Sequence, residues 1–166
     1  YQIAEAYQRR GVPVVLGGFH PTLVPDEAQA HADAIVVGEA EGCWARLLED
    51  AAADRLQGRY QADSRPDLVG RVADRSIFGR RRYGRIALVE TSRGCGFACE
   101  FCSISAFFQR SCVERPIEEV VEEIRGLEGV VFFVDDNIGV DPGRLRALCE
   151  ALIPLKRQWI GQVSLH

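Results

Sequence analysis

Apolar residues in this chain fall into short unbroken runs, separated by stretches where they recur every three or four positions. The runs VPVVLGG (12–18), DAIVVGE (33–39), IALVETS (86–92), VVFFVDD (130–136) and WIGQVSL (159–165) are continuous and rich in β-branched residues. That pattern predicts parallel strands covered on both faces. The intervening stretches read as helices. In PIEEVVEEIRGLEG, Ile117, Val120, Val121, Ile124 and Leu127 form one apolar stripe. Pro116 suits the first turn, the glutamates after it lie where the helix dipole favours negative charge, and glycines close the segment. DPGRLRALCEALI repeats the logic, with Asp141 as N-cap and Pro142 at the first position. EGCWARLLEDAAADRL (41–56) is a third helix, with Glu39 and Glu41 placed to cap it, and the opening YQIAEAYQRRG reads as the middle of another. Strand and helix in alternation predict an α/β fold with right-handed crossovers.

The alternation breaks between Gln57 and Arg85, where Pro66, several glycines and the arginine-rich GRRRYG (79–84) predict a linker. The chain thus divides into an α/β unit over 1–56, a linker over 57–85 and a second α/β unit over 86–166. With 166 residues, 47% hydrophobic and 27% charged, it has the composition of an ordinary globular protein. A net charge of −4 gives no pull toward nucleic acid or an anionic membrane. No apolar run approaches the roughly 18 residues needed to span a bilayer. No signal peptide is evident, and a cytoplasmic location is expected. Methionine is absent, even at position 1, and a strand ends the chain with nothing after it, so a fragment is expected.

Candidate chemistry centres on VETSRGCGFACEFCS (89–103), where Cys95, Cys99 and Cys102 lie within eight residues directly after a strand. The chain has six cysteines in all. Their clustering, with no secretory signal, favours metal-binding or catalytic thiols in a reducing compartment over a disulfide framework. Cys43, Cys112 and Cys149 are expected to act as small buried hydrophobes. Structural zinc sites pair two short hooks and close with four ligands. Here there is one hook of three, and Cys112 is the available fourth thiol. Dense runs of thiolates also hold iron–sulfur clusters. A four-iron cubane held by three cysteines leaves one iron open, which marks catalysis rather than structural use. The C-terminal end of a strand is where α/β sheets place chemistry. Gly94 and Gly96 give the loop freedom to wrap a cluster, and Phe97, Phe101, Phe107 and Phe108 are placed to shield it.

At these residues the sequence resembles the radical S-adenosylmethionine (SAM) enzymes. CGFACEFC has the family's three-cysteine spacing, with Phe101 as the aromatic residue just before the last cysteine. The resemblance implies that Cys95, Cys99 and Cys102 ligate a 4Fe–4S cluster. It implies that the open iron takes the amino and carboxylate groups of SAM, and that reductive cleavage yields a 5′-deoxyadenosyl radical. It also implies that Asp135, Asp136 and Asn137, at the end of the next strand, help seat SAM. The plainer reading of that segment is a turn with Asp141 capping the next helix. Gln162 and Ser164 on the last strand are further polar candidates.

The first unit carries a second resemblance. Gly17-Gly18 at a strand end, then HPT, then a strand ending in GEAE, is similar to the C-terminal part of a Rossmann-like cobalamin-binding domain. In one branch of radical SAM enzymes such a domain precedes a partial (β/α)6 barrel. The resemblance implies that Gly17 and Gly18 line the site of the cobalamin nucleotide tail. The same glycines also suit a tight turn needing positive φ. His20 is read as a turn residue or a wall of that site, not as a cobalt ligand, and His31 as exposed. The expected function is SAM cleavage coupled to cobalamin-assisted methyl transfer or related C–H functionalisation. A small-molecule substrate, and a reducing donor such as flavodoxin or ferredoxin, are the expected partners. An iron–sulfur electron-transfer module and a zinc-binding interaction domain are the alternatives.

Overall fold

A computed structural model describes residues 1–79 and 84–164. The core of the arginine run, 80–83, and Leu165 at the end of the last apolar run lie outside the described residues. The chain is mixed α/β with small parallel sheets, and it divides into two compact units, Tyr1–Pro66 and Asp67–His166.

The first unit runs α1 (Gln2–Gln8), β1 (Val15–Leu16), α2 (Phe19–Leu23), α3 (Pro25–Gln29), β2 (Ala34–Val37), a 3₁₀ turn at Ala40–Gly42, α4 (Trp44–Ala52) and β3 (Arg59–Gln61). All pairings are parallel, in the order β1-β2-β3. Ala34 and Val36 of β2 pack with Cys43, Leu47 of α4 and Tyr60 of β3. Ile35, which points the other way by strand alternation, is also fully buried. β3 lies within the stretch expected as a linker from Gln57. Arg59 and Gln61 point outward, and only Tyr60 points inward, so this edge strand has no apolar run to reveal it. Tyr60 is anchored through its hydroxyl, which donates to buried Asp50 at 2.9 Å. Glu39 does not cap α4: it pairs with Arg65 at 2.7 Å.

The second unit contains β4 (Ile86–Val89), β5 (Ser92–Gly94), α5 (Ser103–Phe107), β6 (Cys112–Glu114), α6 (Ile117–Arg125), β7 (Val130–Phe133), α7 (Pro142–Leu152) and β8 (Trp159–Ile160). β4, β7 and β8 form a parallel sheet with β7 in the middle, and β5 pairs antiparallel with β6. The stripe foreseen on α6 is real: Val120, Val121 and Ile124 join Val89, Val131, Phe133, Leu148 and Leu152 in one core. Pro116 occupies the N-cap rather than the first turn of α6. Asp141 caps α7 as expected, Oδ1 accepting from the Gly143 and Arg144 N–H groups at 2.8 and 3.2 Å.

Three of the strands here are half-covered, against the expectation of burial on both faces. Register places Leu88 beside Phe132 and Phe132 beside Ile160, and all three are exposed, Leu88 by 59%. Among the described residues the helices pack on the side of Val89, Val131 and Phe133.

Among the described residues no helix is long and apolar enough to cross a membrane.

Candidate functional site

The C-terminal edge of the second sheet is where two chain segments leave it together. After Val89 the chain bends into β5, and after Phe133 it continues through Val134–Asn137. The Val134 N–H still reaches Val89 O at 3.0 Å, which keeps the two departing segments side by side.

Asp135 locks them. It is only 4% exposed. Its Oδ2 accepts the Thr91 N–H at 3.1 Å, and its Oδ1 accepts the Thr91 and Ser92 hydroxyls at 2.7 and 2.6 Å. A buried carboxylate with three donors is a fastening, and removing it would leave donors unsatisfied at about 1–3 kcal/mol each. Asp136 is half-buried, and its Oδ2 accepts the Gly94 N–H at 2.8 Å. Burial pushes its carboxyl above the ordinary value, with the Gly94 N–H opposing and nearby Asp135 adding to the rise. Its Oδ1 has no hydrogen-bond partner among the described residues. Asn137 is buried, and both ends of its amide are engaged. Its Oδ1 accepts from Gly139 N and Ser164 N at 3.1 and 3.2 Å, and its Nδ2 donates to Ser164 Oγ at 3.3 Å. The three residues are therefore brought to one place but divide the work. Asp135 and Asn137 hold loops, and Asp136 keeps one oxygen open.

The cysteine loop leaves this edge through Gly94. Gly94 has φ +92°, and a Cβ there would collide with Ser111 O and crowd Phe108. Cys95, Cys99 and Cys102 are free thiols; Cys99 is exposed and the other two are half-exposed. The loop has its own turn, Cys102 N–H to Cys99 O at 3.1 Å, and Ser105 Oγ donates to Phe97 O at 3.0 Å. A shallow hollow is lined by Cys99, Cys102, Ser105, Ala106 and Arg110. Among the described residues no three His, Cys, Asp or Glu side chains already stand at ligating distance. The donor set nevertheless suits a thiolate-held metal group. Three free, accessible sulfurs sit within eight residues on one loop, and thiolates are the ligands that zinc and iron–sulfur groups take. The aromatic shield expected around the loop is partial. Phe108 is buried and stacks edge-on against Phe107 at 4.7 Å, whereas Phe101 is 93% exposed.

Of the other cysteines, only Cys43 is buried as expected; Cys112 and Cys149 are half-buried. Cys112 lies on β6 opposite Gly94. Burial pushes its thiol above the ordinary value.

Residue patterning did not reveal the charged groups around the strand end. Glu90 pairs with Arg93 at 2.8 Å. Arg115 and Glu123 form a buried ion pair at 2.6 Å. Arg144 Nη2 donates to Thr91 O and Arg115 O at 3.1 and 2.6 Å. The signal available was an arginine directly before a helix whose polar face carries glutamates, which reads as surface until the strand edge is in place.

In the first unit, Gly18 has φ +95° at the N-cap of α2, a conformation L side chains rarely adopt. Gly17 has no such need: a Cβ there would meet Val36 at an ordinary 3.6 Å. Thr22 ties the two strand ends together, its Oγ1 donating to Gly18 O at 2.7 Å and accepting the Gly38 N–H at 2.9 Å. His20 contacts Tyr1 Oη at 2.6 Å and Glu27 at 3.3 Å, so it belongs to a local polar cluster. His31 is half-buried, not exposed, with its ring stacked on Tyr1 at 3.9 Å.

No protein-family profile matches the chain. Curated proteins do. The chain is 34% identical over 164 residues to bacteriochlorophyllide d C-8(2)-methyltransferase of Chlorobaculum tepidum, covering 87% of this chain and 36% of that protein. It is 27% identical over 178 residues to bacteriochlorophyllide d C-12(1)-methyltransferase of the same organism, covering all of this chain and 39% of that protein. It is 27% identical over 135 residues to hopanoid C-2 methylase of Rhodopseudomonas palustris, covering 76% of this chain and 25% of that protein. The chain thus spans well under half the length of the curated relatives it matches. With a three-cysteine loop at the C-terminal edge of a parallel sheet and relatives of this kind along most of its length, the chain belongs to the radical SAM family.

Proposed function

We propose that the second unit is the cluster- and SAM-binding part of a radical SAM enzyme, and that the protein transfers a methyl group to carbon with the help of cobalamin. The observation that carries this reading is the loop of three free thiols, fastened by its neighbouring strand end at the C-terminal edge of the β4–β7–β8 sheet. Cys95, Cys99 and Cys102 would hold a 4Fe–4S cluster with one iron left for SAM. When bound, the cluster supplies the electron that breaks the sulfonium bond and gives the 5′-deoxyadenosyl radical.

The chain's own residues prepare that site. Asp135 fixes Thr91 and Ser92, so the strand end cannot fray. Asp136 holds Gly94 with one oxygen and offers the other to the ammonium of SAM. Asn137 keeps the adjoining loop on the last strand. Phe101, exposed beside Cys102, is available to pack on SAM. The apolar face of Ile86, Leu88, Phe132 and Ile160 suits an apolar substrate. Relatives named for bacteriochlorophyllide and hopanoid methylation support such a choice. The first unit is read as the end of a cobalamin-binding domain, with Gly17 and Gly18 at the cofactor's tail. A flavodoxin or ferredoxin in the cytoplasm would deliver the electron.

The test is anaerobic reconstitution of the full-length protein with iron and sulfide, followed by reduction in the presence of SAM. The reading predicts a brown protein that releases 5′-deoxyadenosine, and loss of that release in Cys99→Ala. A colourless zinc protein, or an iron protein that leaves SAM intact, overturns it.

A further inference from the structure

β4 is an edge strand: β7 pairs with one side of it, and no strand pairs with the other among the described residues. The Arg85 and Val89 carbonyls point to β7, so those of Leu88 and Glu90 point to the open side by alternation. There they receive arginine donors in place of a strand. Arg75 Nη2 donates to Leu88 O at 2.6 Å, and Arg115 Nη1 donates to Glu90 O at 2.8 Å. Glu123 of α6 gathers both cations, Oε1 on Arg75 and Oε2 on Arg115, each at 2.6 Å. The Arg115 and Glu123 side chains are each 3% exposed. The Arg115 N–H also donates to Thr91 O at 2.9 Å.

This arrangement is a poor way to make a stable core. A buried ion pair can usually be replaced by well-packed apolar residues without loss of stability. Here Arg115 Nε and Nη2 are buried with no hydrogen-bond partner, which adds to the cost. What Arg115 supplies and an apolar side chain cannot is a donor for the carbonyl of Glu90, five residues before Cys95.

We propose that Arg115, held by Glu123, is a positioning residue that fixes the exit of the cysteine loop from β4 by gripping Glu90 O. Asp135 and Asp136 hold the N–H groups of Thr91 and Gly94, and Arg115 holds the carbonyl side of the same segment. The consequence for the cluster rests on the reading of the three cysteines given above; the grip on the strand end does not.

The experiment compares the full-length protein with Arg115→Leu/Glu123→Leu and with Arg115→Lys. Hydrogen exchange of the cluster-free protein reads the peptide spanning 90–95, thermal melting reads the fold, and iron loss to a chelator reads the reconstituted protein. The double variant is expected to melt close to the parent. Its 90–95 segment should exchange about tenfold faster, the effect of losing roughly one hydrogen bond from a charged donor. Its iron should be stripped several-fold sooner. Arg115→Lys keeps a charge on Glu123 but not the fork of donors, and should fall between the two. A double variant that folds and exchanges like the parent at 90–95 overturns the proposal, because Arg115 then only fills space. If the double variant does not fold, Arg115→Lys decides: parental exchange at 90–95 overturns the proposal, and faster exchange supports it. A parent that takes up no iron sinks the cluster reading while leaving the exchange result to judge the grip.

Discussion

The two adjacent aspartates show how much one residue's surroundings decide. From the sequence, Asp135, Asp136 and Asn137 read as a polar segment at a strand end, fit for a ligand or for a turn. The structure separates them: Asp135 has all its acceptor capacity turned inward, and Asp136 has one oxygen outward. Neither role was legible in the sequence, because the partners Thr91 and Ser92 lie more than forty residues away and are brought near only by the β4–β7 register. Asp136 gives a prediction in pH. Burial, above all, raises its carboxyl, so the folded state takes up a proton at higher pH than the unfolded chain does. The stability it contributes is full below the ordinary carboxylate range and is lost as pH rises through the raised value. Asp136→Asn keeps an acceptor for Gly94 and removes the titration. In the cluster-free protein, the stability of the variant relative to the parent should therefore grow as pH rises through that window and then level off. Urea unfolding at a series of pH values checks this, and a flat or shrinking difference would contradict it.

At the scale of elements, sequence legibility followed local pattern. α6 and α7 were readable because their stripes and caps are written within a dozen residues. Asp141→Ala should cost about 1 kcal/mol, since two α7 N–H groups lose their acceptor. Thermal unfolding would show a melting point a few degrees lower, and an unchanged one would mean water replaces the cap. β3 was unreadable for the opposite reason: an edge strand with a single inward residue, Tyr60, has no period to detect. The apolar runs correctly located β4, β7 and β8 but overstated their cover. A continuous run shows that both faces are apolar; it does not show that both are packed. The Leu88–Phe132–Ile160 face is apolar and open.

For the whole molecule, the two units carry different parts of the account. The cysteine spacing was legible in full, because Cys95, Cys99 and Cys102 fall within eight consecutive residues. What the sequence left unstated is the support beneath it: a strand end held on one side by carboxylates and on the other by arginines. The relatives place the chain in its family. The central claim is that three cysteines hold a four-iron cluster whose remaining iron is open to SAM. The electron paramagnetic resonance spectrum of the reduced full-length protein, recorded with and without SAM, tests it most directly. The account predicts a four-iron signal that changes when SAM is added and disappears with the three cysteines; a signal indifferent to SAM, or a metal held by four thiolates, would contradict it.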